Sequence, residues 1–394
     1  MKPIIYRELE ATHKYAVGLL IALVLVALAG VFAFSEMSQL GHFVTGMNNH
    51  VVWGLPHVIA IFLIVAASGA ANIASLSSVF GRAAYTPYAR LSLVLAISLL
   101  LGGLLLILLD LGRADRLVIA LTHFNFHSVF AWNILLYSGF FVIMSAYLWS
   151  LMDRRQAAKR SKQTIAYVAF AWRLILTAGT GSIFGVLLAR EYYDILMMAP
   201  LFIATSYLIG TACFSLVLML IYKLEKRQLS EEIQRLLMNS LALFLVAVVA
   251  FELFRHVMNI FVFDHQSIER FILWEAGFVS AVFWFGLLGL AVLGPLLILN
   301  VSLFKPYRLL LMALTGIGSG LSLLYVVIIG GQLKPLVLFP NAVIEQSTLP
   351  PITYTASVYE WLLSMACITV VLLVFFTGAR VLRLVADHQS ENYS

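Results

Sequence analysis

Ten long apolar runs, parted by short polar segments, decide what this chain can fold into: 15–34, 52–80, 91–110, 129–152, 165–188, 196–222, 236–261, 271–300, 308–330 and 355–381. Each reaches the roughly 20 residues that a helix needs to cross the hydrocarbon of a bilayer, and the second, sixth, seventh, eighth and tenth are longer, which tilt or projection beyond the hydrocarbon accommodates. Charge is too scarce for a watery surface. Only 11% of the 394 residues are charged, against about 25% in a soluble domain. In lipid that shortage is no defect, because helices satisfy their own backbone groups. The expected fold is an all-α integral membrane protein of one domain with about ten transmembrane helices. The run 15–34 exceeds the roughly 7–15-residue core of a cleaved signal and leads into Ser35-Glu36-Met37. It is read as a retained first span.

Lys and Arg set the orientation. Eighteen of the 25 fall in the segments on the side of the termini. Five, Arg113, Arg116, Arg190, Arg270 and Lys334, fall on the other side, and Arg173 and Arg255 lie within runs. The bias recurs in every loop pair and places both termini in the cytoplasm. The net charge of +6 then faces anionic membrane lipid, and nucleic acid is not an expected partner. Cys213 and Cys367 lie in apolar runs without C-x-x-C spacing. The chain therefore offers no thiolate set for an iron–sulfur cluster or for attached haem, and no metal site is expected.

Ionisable groups near the membrane interior are costly, so each needs a partner or a function. Nearly all gather at the end away from the termini: His57, Asp110 and Arg113, then Arg190, Glu191 and Asp194, then Glu252, Arg255, His256, Glu275, Tyr325 and Glu360. Arg173 is expected in the other half, about two turns from the inner end of its run. A one-sided cluster suggests a polar pocket open to one face and not a wire across the membrane. Glu252, Arg255 and His256 share a helical face. They read either as a self-neutralised ion pair or, with Glu275, as a proton-handling group. Asp110 and Arg113 read either as an interfacial salt bridge or as a proton-exchanging pair. Glu275 and Glu360 need partners in space. Haem b would require paired axial histidines on facing runs; only His57 and His256 lie within runs, and hydrogen-bonded roles are expected for both.

The stretch His123-Phe124-Asn125-Phe126-His127-Ser128-Val129-Phe130-Ala131-Trp132-Asn133 crowds imidazoles, amides, a hydroxyl and aromatics at the mouth of the fourth run. One reading is an interfacial aromatic belt with a helix cap at Ser128 or Asn125. The other is a quinone slot, since a quinone headgroup needs two hydrogen-bonding partners between flat apolar walls.

Three elements in order resemble the NrfD/PsrC family of quinone-interacting membrane subunits. Asn49-His50-Val51-Val52-Trp53-Gly54 leads into a long run, Leu109-Asp110-Leu111-Gly112-Arg113 closes the third, and His123-x-Asn125-x-x-Ser128 with Trp132 opens the fourth. The ten-span length resembles the longer branch of DsrP, HybB and alternative complex III subunits. The similarity covers roughly residues 10–300 and is sharpest over 46–133. It implies two four-helix bundles, 52–188 and 196–330, flanked by 15–34 and 355–381. It implies a quinone site (menaquinone or ubiquinone) in the first bundle near the extracytoplasmic face of a bacterial or archaeal cytoplasmic membrane. A ferredoxin-like iron–sulfur subunit would dock above it and connect to a further catalytic subunit of molybdopterin, hydrogenase or multihaem type. The membrane chain itself would carry neither haem nor cluster.

On that resemblance, Asp110 exchanges a proton tuned by Arg113, and His123 or His57 hydrogen-bonds a quinone carbonyl. Asn125, His127, Ser128, Trp132 and Trp53 position the ring. The chain departs from the family pattern at Phe124, where relatives often have Pro, and at His127, where they often have Asn. Some relatives carry His near Thr177, or a polar residue or His near Ser68. Two other classes compete. A secondary transporter would bind substrate at mid-depth near a broken helix, for which 178–185 is the best candidate. A ligand-free anchor would have no slot at all.

Overall fold

The computed structural model describes residues 4–9, 13–153, 158–187, 189–193, 195–261, 265–335 and 352–387. Asp194 and residues 336–351, most of the long loop before the tenth run, lie outside the described residues. Among the described residues, ten helices are long and apolar enough to cross a membrane, and the chain is a multi-pass membrane protein.

Strand β1 (Tyr6–Arg7) precedes α1 (His13–Leu40). The second span is α2 (Leu55–Ala70) continued by α3 (Asn72–Ser78), and the third is α4 (Ala89–Asp110). A short α5 (Leu117–Thr122) leads to α6 (Val129–Met152), α7 (Ala158–Gly185), α8 (Ile195–Leu224) and α9 (Glu231–Phe261). A short α10 (Gln266–Arg270) and a π-helical turn at Phe271–Glu275 lead into the next crossing, made of α11 (Phe278–Ala281), a π-helical stretch at Val282–Leu293 and α12 (Gly294–Asn300). The ninth is α13 (Arg308–Tyr325), a π turn at Val326–Gly330 and α14 (Gly331–Leu333); the tenth is α15 (Val358–Val381), followed by β2 (Val385–Ala386). Strands β1 and β2 pair antiparallel, Tyr6 with Ala386 and Arg7 with Val385. Both ends of the chain therefore meet on one face, as an even number of crossings requires. The opposite face is called distal below.

Helix α2 is the axis of the packing. Every residue of it but His57 is buried, and it lies against α4 and α8. Its approach to α8 depends on two facing glycines. A Cβ on Gly69 would sit 1.6 Å from the Ser206 carbonyl oxygen, and one on Gly210 would sit 2.2 Å from the Gly69 carbonyl carbon. Small residues at such crossings let backbones touch, which is how helices gain packing energy where lipid removes the hydrophobic drive. Helix α1 packs along α15, which packs in turn on α4.

Three sequence expectations change. The first span does not stop at 34, because Ser35, Glu36 and Met37 continue the helix to Leu40. The run 271–300 is not one helix. Gly277 has φ 57°, a left-handed value that breaks the ladder and that glycine adopts without steric cost. Side chains recover the backbone groups freed there: Ser280 Oγ accepts from the Ala276 N–H at 3.1 Å and donates to the Ile272 carbonyl at 2.8 Å. The Trp284 indole donates to the Leu273 carbonyl at 2.8 Å. Third, α7 begins before 165, so Arg173 falls midway along the span Lys162–Gly185. Fully buried, it donates to Asn72 Oδ1 at 2.9 Å and to the Tyr207 hydroxyl at 3.0 Å. Ser68 and Thr177, two of the positions where the family pattern departs, hydrogen-bond each other there at 2.6 Å.

Candidate functional site

Helix α4 delivers Asp110 to the distal face as its last residue, buried to 5% exposure. Two imidazoles flank it. His57, in the first turn of α2, places Nδ1 3.0 Å from Oδ2. His42, just beyond the end of α1, places Nε2 3.6 Å from Oδ1 and 2.9 Å from the Asp110 backbone carbonyl. That carbonyl is one of the four that a helix end leaves without an internal partner, so His42 also caps α4. Contact with the Asp110 side chain raises the His42 pKa above its ordinary value, outweighing the lowering by partial burial, with Glu360 adding to the rise.

Arg113 does not join this group. Its guanidinium makes a bidentate pair with Asp115, at 3.0 and 2.9 Å, fully in solvent. The expected i, i+3 pairing with Asp110 fails because the helix ends at Asp110 and Gly112, at φ 67°, turns the chain away.

Trp53 forms the wall beside His57. Its ring centroid lies 6.4 Å from that of His57, 6.4 Å from Phe130 on α6 and 5.5 Å from Phe184 on α7. The loop that carries Trp53 has no regular structure, so its backbone groups must be satisfied from elsewhere. Gln332, buried in α14, does most of this. Its Oε1 accepts from the N–H groups of Val52 and Trp53 at 2.9 and 3.0 Å, and its Nε2 donates to the Trp53 and Ile328 carbonyls at 3.0 and 2.7 Å. Arg190 donates to the carbonyls of Gln332, Lys334 and His50. Glu360, which seemed partnerless in sequence, accepts from the Gly46 and Ser357 N–H groups at 2.8 and 2.7 Å and from the Tyr354 hydroxyl at 2.7 Å. With Ser357 it makes a capping box at the start of α15.

The mouth of the fourth span behaves differently from Asp110. His123, Asn125 and His127 are exposed, and their hydrogen bonds stay within their own segment. His123 Nδ1 lies 3.0 Å from the Thr122 hydroxyl, and Asn125 Oδ1 accepts from the His127 N–H at 2.9 Å. Ser128 caps α6 by accepting from the Ala131 N–H at 3.3 Å. Trp132 donates its indole N–H to the Phe126 carbonyl at 2.9 Å and stacks edge-on with Phe124. Asn133, one turn deeper than Phe130, is buried. Its amide nitrogen donates to the Val129 and Gly179 carbonyls at 2.9 and 3.2 Å, while its Oδ1 is buried without a hydrogen-bond partner.

A second cluster closes the distal end of α9. Arg255 and Glu252 are both fully buried. Arg255 donates to Glu252 through two nitrogens, at 3.1 and 2.8 Å, and to the Tyr192 hydroxyl at 2.7 Å, with its guanidinium 4.2 Å above the Tyr192 ring. His256 bridges Glu252, at 3.3 Å, and Glu269, and Asn259 donates to Glu269 at 2.6 Å. Burial would raise the Glu269 pKa, but His256, Arg255 and Asn259 together hold it below its ordinary value. Glu275 is not a member. It pairs with Arg270 at 2.7 Å on the surface, and Glu269 takes the place beside His256 that was expected for it. No cluster of three or more His, Cys, Asp or Glu side chains suited to a metal ion occurs among the described residues.

Sequence reasoning missed His42, Gln332, Glu269 and Tyr192, and named Asn133 only within the stretch at the mouth of the fourth run. Of these, Glu269 left a local trace, as a carboxylate eight residues beyond the end of α9.

The sequence profile described as "Polysulphide reductase, NrfD" matches residues 43–335. The chain is 26% identical to the Hdr-like menaquinol oxidoreductase integral membrane subunit of Archaeoglobus fulgidus, over 98% of both chains. It is 24% identical to a selenate reductase subunit of Mesobacillus selenatarsenatis, over 89% of this chain and 90% of that one. It is 27% identical to a protein of Halobacterium salinarum described as a dimethyl sulfoxide reductase membrane subunit, over 49% of each.

Proposed function

The chain belongs to the NrfD, or polysulphide reductase, family, and from that premise we propose that it is the membrane subunit of a respiratory oxidoreductase complex, exchanging electrons between the quinone pool and an iron–sulfur partner. The observation that carries the reading is the buried carboxylate of Asp110 flanked by two imidazoles, beside the aromatic wall of Trp53 and Phe130. Reduction of a quinone takes up two protons with its two electrons, and oxidation of a quinol releases them. Asp110 holds or accepts a proton at a carboxylate oxygen. His57 is part-exposed and neighbours the Trp53 ring; in this reading it hydrogen-bonds a headgroup oxygen through Nε2, the nitrogen not facing Asp110. Trp53 supplies a flat wall, and Asn133 offers a carbonyl oxygen not otherwise used. The hydrogen bonds of His123, Asn125 and His127 lie within their own exposed segment and do not reach Asp110. Menaquinone is the favoured substrate, since the relative from Archaeoglobus fulgidus is described as a menaquinol oxidoreductase subunit.

The distal face is taken as extracytoplasmic because the termini face carries the excess of Lys and Arg. The iron–sulfur subunit would dock on the distal side, over the loop that Gln332, Arg190 and Glu360 hold in place, in the cytoplasmic membrane of a bacterium or archaeon. The test is Asp110→Asn in the assembled complex. Quinol-linked electron transfer is expected to fall by about two orders of magnitude or more, the usual contribution of a positioned acid or base, with assembly unchanged. Full turnover with a quinol analogue would remove Asp110 from the chemistry.

A further inference from the structure

On the termini face, two adjoining cavities of unlike chemistry lie at the ends of α3, α4, α6 and α7. The first, about 580 Å³, has hydroxyl and cationic side chains in its wall, Ser77, Ser78, Thr86, Arg90 and Lys162 among others, with no carboxylate among the described residues that line it. The second, about 510 Å³, is mostly apolar and lies along the last turns of α6 beside Leu148, Trp149, Met152 and Leu382, with Asp153 at its polar edge. Arg90 stands between the two. It donates to the Leu151 carbonyl at 2.6 Å and to the Arg383 carbonyl at 3.2 Å, the neighbours of Met152 and Leu382 in the second wall. Its guanidinium also stacks 3.8 Å above the Tyr6 ring, so the terminal strand orders it. Ser77 and Thr86 share a hydrogen bond of 2.9 Å at the first cavity.

We propose that this place binds an anionic phospholipid, its phosphate headgroup in the hydroxyl-lined cavity and an acyl chain along the groove beside Trp149. Charge complementarity selects the headgroup: two cations and three hydroxyls meet a phosphate diester, and basic pockets between transmembrane helices at a membrane surface are suited to such lipids. The apolar groove selects a lipid over a free anion. Trp149 is 76% exposed near the end of a spanning helix, the level at which indole rings sit at the boundary of acyl chains and headgroups. In sequence, Arg154, Arg155, Lys159 and Arg160 separate Asp153 from Lys162 and add to the attraction for an anionic leaflet.

The test uses the complex purified in detergent, depleted of lipid, and supplied in turn with phosphatidylglycerol, phosphatidylcholine or inorganic phosphate. Retained lipid is counted by mass spectrometry and thermal stability is followed. Phosphatidylglycerol is expected to be retained near one per chain and to raise the melting temperature, and the other two are not. Lys162→Gln should weaken retention about fivefold, on the order of what one interfacial cation contributes. It leaves the Arg90 ties between α6 and the end of α15 intact, so the variant folds whether or not the site exists. Trp149→Ala should weaken phosphatidylglycerol retention as well. Equal retention of phosphatidylglycerol and phosphatidylcholine would overturn the proposal, as would retention unaffected by Lys162→Gln. Stabilisation by inorganic phosphate equal to that by the lipid would reduce the place to a free-anion site and overturn it also.

Discussion

The distal face carries two ionic clusters, and they differ in how completely each is closed. At α9, Arg255 and Glu252 show no exposed side-chain surface, and His256 and Glu269 almost none. The guanidinium meets its carboxylate at 2.8 Å and a phenol at 2.7 Å. At α4, the Asp110 side chain is just as buried, but its partners His42 and His57 are 37% and 28% exposed. They approach the carboxylate within ion-pair distance without hydrogen-bond alignment. A closed cluster is committed to its own members and serves to lock helices. An open one can exchange a proton with whatever lies beside its imidazoles. The second cluster contains more charge, yet the first has the better geometry for chemistry.

Removing one member should separate the two most sharply. Glu252→Ala leaves Arg255 buried without its main counter-charge, and breaking a buried pair in this way costs about 3–5 kcal/mol. The expected outcome is a large fall in the melting temperature of the purified complex, or loss of the chain from the membrane. Asp110→Ala should cost less, because His42 and His57 can turn to water. Equal losses in the two variants would break the distinction between closed and open.

Gln332 tests what holds the open site in shape. Gln332→Ala leaves the Val52 and Trp53 N–H groups without acceptors, at about 1–3 kcal/mol for each group left unsatisfied. The wall beside His57 then loosens. Substrate affinity should fall more than maximal turnover, since Gln332 positions Trp53 and touches no reacting atom. The split between KM and kcat on quinol titration checks it, and Gln332→Glu, which keeps an acceptor for the two N–H groups, should restore part of the affinity.

A smaller effect is expected from pH. The folded-state pKa of His42 is raised above 6.5 by its contact with the Asp110 side chain. A raised imidazole contributes stability that is fully present below the unfolded value and is lost as pH climbs through the folded one. Its charged neighbours are Asp110, which His57 also contacts, and Glu360. The melting temperature should therefore decline as pH rises from about 6 towards the alkaline side, and His42→Gln should flatten that part of the profile. An unchanged slope in the variant would assign the pH dependence to another group.

What could be read in advance follows from how far a cause lies from its effect. Lipid forces each span to announce itself as a local apolar run, so ten crossings were legible, and the odd residues within them were visible as violations. Asp110, His57 and the Arg255 pair were found as such violations. The Ser128 cap was also visible, because a cap is a contact over three residues. His42, Gln332 and Glu360 act on partners 68, 279 and 314 residues away. No periodicity reports a contact of that kind, and His42 looked like any other loop histidine. The break at Gly277 was hidden because a glycine inside an apolar run also suits an unbroken helix.

Arg113 gives the smallest expected effect and the sharpest test of local spacing against observed geometry. Three residues from Asp110, it has the spacing of a helical ion pair, and a tuning cation there would shift proton exchange at the carboxylate. In the structure the helix has ended, Gly112 has turned the chain, and the guanidinium is bound to Asp115 in full solvent. Exposed pairs of this sort contribute little and are screened by salt. Arg113→Gln should leave the melting temperature, the quinol turnover and its pH profile at wild-type values, while His57→Gln alters the last two. A displaced pH profile in Arg113→Gln would return the tuning role to the cation that the helix spacing suggests and remove it from the imidazoles.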